Sequence, residues 1–299
     1  MIAKKRSITM QHTNDTPRCF AVIGDPIHQS LSPRIHTASY RAQKIHATYL
    51  PILVAPQDVK RVLTSMLLMD VDGCNVTTPH KQTILPYLDR LDPPAKIAGS
   101  VNTIYRRGKQ WIGTNTDGAG FLQACKERKI SLRHKTVTLL GAGGAASAIA
   151  ASLMSAGVKH IIILNRTIER SKKLVARLKK LNHRIDVSTA VLSKQNCQHY
   201  FSGTDILINA TSQGMKSSSK LGLPLHSLPS DAAICDCQYS PKTETALIRW
   251  AKRKHHSYMD GRDLLLHQAA ASYQIWIGHK PDLKAMKRAL SGAKDTPFR

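Results

Sequence analysis

TVTLLGAGGAASAIAASLM, residues 136–154, decides how this chain is read. Residues 136–140 are apolar or β-branched, as a buried strand requires, and they run directly into Gly141-Ala142-Gly143-Gly144-Ala145-Ala146. That is G-x-G-x-x-A between a strand and a helix, the context in which the pattern has a mechanism. The glycines permit a tight turn and let the backbone approach a pyrophosphate, and the helix N-terminus offers free N–H groups and a favourable dipole. The stretch therefore predicts a dinucleotide site carried by Gly141, Ala142, Gly143, Gly144 and Ala145. A turn serving packing alone is the plainer alternative.

The next strand, at 160–164, selects among dinucleotides. An acid near its end would bond the ribose 2′-hydroxyl of NAD. Here the strand ends in Asn165-Arg166-Thr167, with Arg170 one helical turn further. An arginine fork suits a phosphate and the neutral side chains add donors, so NADP is favoured. Arg166 as one more surface arginine is the competing reading. The helix expected at 168–181 carries Ile168, Leu174, Val175, Leu178 and Leu181 at helical spacing, with lysines and arginines on its other face.

Further out, strands are expected at 19–24, 47–54, 73–77, 206–210, 233–237 and 257–259, with a hairpin at 101–105 and 110–113. Helices are expected from Pro33, within 57–69, and at 117–129, 264–277 and 283–290. Such alternation predicts an α/β protein with parallel sheets covered on both faces. A boundary is expected near Asp117 and a second near Gly261. Residues 1–18 are basic and polar, lack the apolar stretch of a secretory signal, and are expected to be a disordered N-terminus that adds little to the fold.

Lys and Arg number 44 against 19 Asp and Glu, a net charge of +25. This charge points to anionic partners without choosing among nucleic acid, membrane surface and small anions, and it also fits a merely basic proteome. No run of 18 apolar residues exists, so no membrane helix is expected. The six cysteines form no C-x-x-C pair, which argues against structural metal and fits a reducing cytoplasm. Zinc-finger spacing and aromatic RNA-binding motifs are absent and aromatics make up 5%, so specific nucleic-acid binding is not expected.

In the N-terminal half, Ser30-Leu31-Ser32 precedes a helix start. Helix capping is the simpler reading of that pair, and carboxylate binding the functional one. Asn75-Val76-Thr77-Thr78-Pro79-His80-Lys81, Asn102 and Asn115-Thr116-Asp117-Gly118 lie at strand ends, which face the ligand crevice of open α/β sheets. Most lysines are solvated charges; Lys81 facing Asp117 across a cleft could give or take a proton.

Taken together, GDPIHQSLSP (24–33), NVTTPHK (75–81), SVNT (100–103), NTDG (115–118), GAGGAA (141–146), NRT (165–167), INATSQGM (208–215) and Gln268-Ala269 resemble the shikimate dehydrogenase family in order and spacing from about residue 19 to 290. The resemblance implies a two-domain enzyme that reduces 3-dehydroshikimate to shikimate with NADPH. It implies a discontinuous substrate domain, 19–117 with 261–299, whose C-terminal helices return to it, and a Rossmann-type NADP domain at 118–260. Ser30 and Ser32 would hold the substrate carboxylate. Asn75, Thr77, Asn102, Asp117, Tyr239 and Gln268 would line the site or orient the catalytic group, and Lys81 would be the acid/base paired with Asp117. Gly141–Ala145 and Asn165, Arg166, Thr167 and Arg170 would bind NADP, with Cys237 and Gly261 near the nicotinamide. Departures from the family pattern are Gln29, Pro93, NVTTPHK in place of a motif such as NVTVPFK, and Asp263 where glycine is common. Within the family, a quinate/shikimate dehydrogenase using NAD or NADP is the alternative. Outside it stand a nucleic-acid-binding protein and a noncatalytic regulator. A homodimer is left open. Most of the +25 exceeds what these ligands need and would at most speed their capture at low salt.

Overall fold

The computed structural model describes residues 17–182, 186–211, 213, 222–240 and 243–292. Most of the expected N-terminal tail, the serine run at 217–219 and parts of the INATSQGM stretch lie outside them. Arg18, assigned above to the tail, opens the first strand.

The first layer runs β1 (Arg18–Gly24), α1 (Ser32–Ala42), β2 (Ala47–Leu53), α2 (Val59–Leu68), β3 (Gly73–Val76), α3 (His80–Thr83), β4 (Arg90–Leu91), α4 (Pro93–Ala98), β5 (Thr103–Arg107), β6 (Gln110–Thr114) and α5 (Asp117–Glu127). Its sheet has the order β2-β1-β3-β5-β6-β4. β1 pairs in parallel with β2 and β3, while β5 is antiparallel to both β3 and β6.

The second layer runs β7 (Thr136–Leu140), α6 (Gly144–Ser155), β8 (His160–Asn165), α7 (Ile168–Leu181), β9 (Asp186–Val191), α8 (Lys194–Phe201), β10 (Ile206–Asn209), β11 (Ala233–Asp236), α9 (Ala246–Arg253) and β12 (Tyr258–Met259). Every pairing in its sheet is parallel, in the order β12-β11-β10-β7-β8-β9. Two helices close the described chain, α10 (Gly261–Ile277) and α11 (Leu283–Ser291).

Each sheet buries both faces. One core joins Phe20 and Val22 to α1 and to Leu265, Tyr273 and Trp276 of α10, so the last helices pack on the first sheet. A second lies on that sheet's other face under α2. In the second sheet, Ile161, Ile163 and Leu139 point towards α5, α6 and α7, and Leu164, Leu207 and Ile234 towards α8 and α9. The near-continuous apolar runs of β7 and β8 follow from this two-sided burial.

Helix α5 joins the layers. A Cβ at Gly120 would lie 2.6 Å from the Gln268 backbone nitrogen, so the glycine lets α10 lie directly on α5. Helix α10 begins three residues before the sequence predicted. Asp260 accepts hydrogen bonds from the Arg262 and Asp263 N–H groups, and the Asp263 carboxylate accepts from the Asp260 N–H, a reciprocal cap. Asp263 also takes a bidentate ion pair from Arg128, at 2.8 and 2.9 Å. The departure from glycine at 263 therefore has a structural use at the helix start.

Candidate active site

The loops that leave β3 and β6 in the first sheet meet the turn that leaves β7 in the second, and the cleft so defined between the layers carries the polar groups. Val101 N–H donates to the Lys81 carbonyl (2.7 Å) and Val76 N–H to the Asn102 carbonyl (2.8 Å). These bonds tie the Lys81 loop to the residues before β5. They also explain why β5 starts at Thr103 and not at 101.

Lys81 Nζ donates to Asp117 Oδ2 at 2.5 Å, with the lysine side chain 18% exposed and the aspartate 5%. Asp117 opens α5, where the helix dipole favours a carboxylate. Its other oxygen accepts from Asn102 Nδ2 at 2.8 Å, and its N–H donates to Asn115 Oδ1 at 2.9 Å. Asn102 Nδ2 is also 3.2 Å from Gln268 Oε1, and Asn102 Oδ1 accepts the Thr116 N–H at 2.8 Å. The one fixed ion pair thus sits in a cage of neutral donors and acceptors. Such pre-set polarity can meet a charge developing on a ligand oxygen without reorganisation.

Of the sequence-predicted site residues, Lys81, Asp117, Asn102 and Gln268 converge on this point. Thr77 lies one turn before it, half-buried, its N–H donating to the Ile23 carbonyl (2.9 Å). Ser30 and Ser32 lie at the start of α1, whose N-cap residue, Leu31, makes no side-chain cap. Ser30 Oγ accepts the Ser32 N–H at 3.3 Å, so Ser30 does part of the capping work. Tyr239 reaches across from the second layer, its hydroxyl accepting the Leu31 N–H at 3.3 Å. Asn75 is buried with its amide engaged inside the protein: Nδ2 donates to the Asn102 carbonyl, Thr103 Oγ1 and Ser272 Oγ, and Oδ1 accepts from the Tyr49 hydroxyl at 2.6 Å. It braces the wall of the cleft.

Three polar residues of this network were not singled out from the sequence. Thr103 and Ser272 share a 2.7 Å hydrogen bond, and Thr116 Oγ1 donates to the Gln268 carbonyl at 3.0 Å. Thr103 and Thr116 flank Asn102 and Asp117 in motifs already quoted, a signal that was there to use. Ser272 falls four residues after Gln268, on the same helix face.

On the facing wall, β7 ends in the glycine-rich turn. Gly141 has φ of +106°, which strains any other residue, and a Cβ there would lie 3.1 Å from the Ala210 carbonyl oxygen. Gly143, the N-cap of α6, is exposed and has open space where a Cβ would stand. A Cβ on Gly144 would stand 2.8 Å from Lys81 Cβ, which places the turn hard against the lysine stem. Ser100 Oγ closes the contact by donating to the Gly144 carbonyl at 2.9 Å. A free helix N-terminus, an uncovered glycine and no acidic side chain at the turn suit a pyrophosphate. At the end of β8, Arg166 and Arg170 are exposed and enter no ion pair among the described residues, while Asn165 Nδ2 donates to the Thr167 carbonyl at 2.7 Å. Beyond β11, Cys237 is half-buried, and burial together with the Asp236 carboxylate pushes its thiol up. Gly261 lies so close that a Cβ would be 2.4 Å from the Gln238 carbonyl oxygen. No cluster of metal-ligating side chains occurs among the described residues.

Residues 22–104 match the model of the shikimate dehydrogenase substrate binding domain, 123–217 that of shikimate/quinate 5-dehydrogenase, and 261–290 that of the shikimate 5′-dehydrogenase C-terminal domain. Shikimate dehydrogenase (NADP(+)) of Rubrobacter xylanophilus is 38% identical over 272 residues, covering 91% of this chain and 94% of its own. The Thermus thermophilus shikimate 5-dehydrogenase, solved with NADP(H) and shikimate, superposes with a TM-score of 0.80 at 30% identity, covering 92% of this chain and 99% of that one. Quinate dehydrogenase from Corynebacterium glutamicum, solved with NAD, gives 0.83 at 27%, with 92% and 99% covered. The similarity runs through both sheets and the closing helices, and the chain belongs to the shikimate/quinate dehydrogenase family.

Proposed function

We propose that the protein catalyses the reversible NADPH-dependent reduction of 3-dehydroshikimate to shikimate. The observation that carries this is the Lys81–Asp117 pair, 2.5 Å apart, set directly against the glycine-rich turn at Gly144. Gly141–Ala145 would hold the pyrophosphate of NADPH and Asn165, Arg166, Thr167 and Arg170 its 2′-phosphate, and the bound coenzyme would supply a hydride. As the ring carbonyl is reduced, its oxygen takes up negative charge and needs a proton. Lys81 donates that proton from Nζ, and Asp117 holds the ammonium in the direction of the ring. Asn102 fixes Asp117 through its second oxygen. In the reverse direction Lys81 accepts the proton from the substrate hydroxyl. Positioned proton transfer of this kind is worth about 10²–10⁴ in rate.

Ser30 and Ser32 hold the substrate carboxylate, with Tyr239 beside them, and Thr77 and Gln268 face the ring hydroxyls. On this reading residues 19–117 with 261–299 form the substrate domain and 118–260 the NADP domain. No helix among the described residues is long and apolar enough to cross a membrane, and all six cysteines are free, which fits a reducing compartment such as the cytoplasm.

The test is a four-way comparison of kcat/KM for shikimate and quinate, each with NADP and with NAD. The proposal expects shikimate with NADP to lead by at least tenfold. A lead for quinate with NAD would replace it with the second family activity.

A further inference from the structure

Besides Asp117, a single carboxylate is buried among the described residues. Asp236, the last residue of β11, is 0% exposed, and no cation among the described residues forms an ion pair with it. Its partners are three neutral donors: Asn209 Nδ2 and the Gln238 N–H reach Oδ1, both at 3.0 Å, and Thr245 Oγ1 reaches Oδ2 at 2.7 Å. Burial dominates over these bonds and pushes the carboxyl up to about 6. An acid kept in so unfavourable a place is weak evidence for stability, and fixing one arrangement of its surroundings is the better-attested use.

Its donors come from three separate segments. Asn209 ends β10, and its Oδ1 accepts both the N–H (3.1 Å) and the hydroxyl (2.7 Å) of Thr211. Gln238 lies in the turn that delivers Tyr239 to Leu31. Thr245 caps α9 by accepting the Ile248 N–H at 3.3 Å. In the strand order, β10 and β11 lie on the opposite side of β7 from β8 and Arg166. A dinucleotide whose pyrophosphate sits at Gly143 and whose 2′-phosphate sits at Arg166 must lay its nicotinamide half over β10 and β11.

We propose that Asp236 is a positioning residue that fixes the walls of the nicotinamide half of the cleft, through residues 209–211 and 237–239, without itself touching coenzyme or substrate. The inference rests on the coenzyme reading given above. It is tested on the full chain with two probes, NADPH and adenosine 2′,5′-bisphosphate, which reports the adenosine half alone. Asp236→Asn keeps the volume but replaces one accepting oxygen and the charge with an NH2 group, so the Thr245 hydroxyl must reverse its hydrogen bond or lose it, and the variant should weaken NADPH binding roughly tenfold or more. Affinity for the bisphosphate should stay unchanged. Thr245→Val removes one donor and should shift NADPH binding the same way by less, while Thr245→Ser, which keeps the hydroxyl, should behave as wild type. If Asp236→Asn does not fold, the two Thr245 variants carry the test. Unchanged NADPH affinity would overturn the proposal, as would an equal loss for both probes, which marks general loosening of the domain. A wild-type chain that binds neither probe would instead refute the coenzyme reading, and this inference with it.

Discussion

His36, on α1, offers a quantitative test of the first core. Its ring is fully buried, stacked on Tyr49 with centroids 4.5 Å apart and planes within 10°, and neither nitrogen has a hydrogen-bond partner among the described residues. Burial lowers its pKa from 6.5 to about 3. Between those values the unfolded chain holds one proton more than the native one. Stability from neutral His36 is therefore complete above pH 6.5 and drains away as the pH falls towards 3. From those two values the loss is about 2 kcal/mol at pH 5 and approaches about 5 kcal/mol near pH 3. Asp236 acts in the opposite sense: raised from 3.8 to about 6, it makes the native state the better proton binder between those values, so acidification strengthens the fold there. The pH profile of the wild type alone mixes the two. His36→Phe keeps the stacked ring, loses no hydrogen bond and removes only the histidine contribution. Urea unfolding of both proteins at pH 7.5 and pH 5 should show the variant gaining about 2 kcal/mol on the wild type over that interval. Parallel losses in the two proteins would refute the reasoning and mean that His36 takes up a proton in the native state.

Two further substitutions probe the cleft. Arg166→Ala should raise KM for NADP roughly 10–100-fold, the worth of a charge-assisted hydrogen bond, and leave KM for NAD nearly unchanged; equal effects on both coenzymes would remove Arg166 from 2′-phosphate selection. Gly144→Ala puts a methyl group 2.8 Å from Lys81 Cβ, too close to a backbone-proximal atom to be absorbed by side-chain motion. Its kcat should fall roughly 10–100-fold with the melting temperature changed by only a few degrees, and a wild-type kcat would mean that Lys81 does not need its place against the turn.

The architecture was legible in the sequence wherever strands are buried on both faces. β7 and β8 carry near-continuous runs of apolar or β-branched residues, and their limits agree with the expectation within one residue. β9 and α8 were not foreseen. β9 is the edge strand of its sheet and buries only Val187, so DVSTAV lacks the apolar signal of its neighbours. α8 is short, and only Cys197 and Phe201 are buried. The start of α10 is marked by Asp260 and Asp263, a cap written with two aspartates that lies ahead of the first leucine, where the apolar pattern begins. At the site, motifs at strand ends located Lys81, Asp117 and Asn102, because a strand's end is a local property. The hydrogen bonds of Tyr49 to Asn75, of Thr103 to Ser272 and of Asp236 to Thr245 depend on how segments far apart in the chain are brought together, and no spacing in the sequence encodes them.

The most direct test of the central claim is to mix purified protein with shikimate and NADP and follow the absorbance of reduced nicotinamide, in the wild type and in Lys81→Ala. The wild type should reduce NADP only when shikimate is present. The variant should bind shikimate with affinity close to that of the wild type yet turn over about 10²–10⁴-fold more slowly. No shikimate-dependent reduction by the wild type, or a variant turning over at the wild-type rate, would contradict the account.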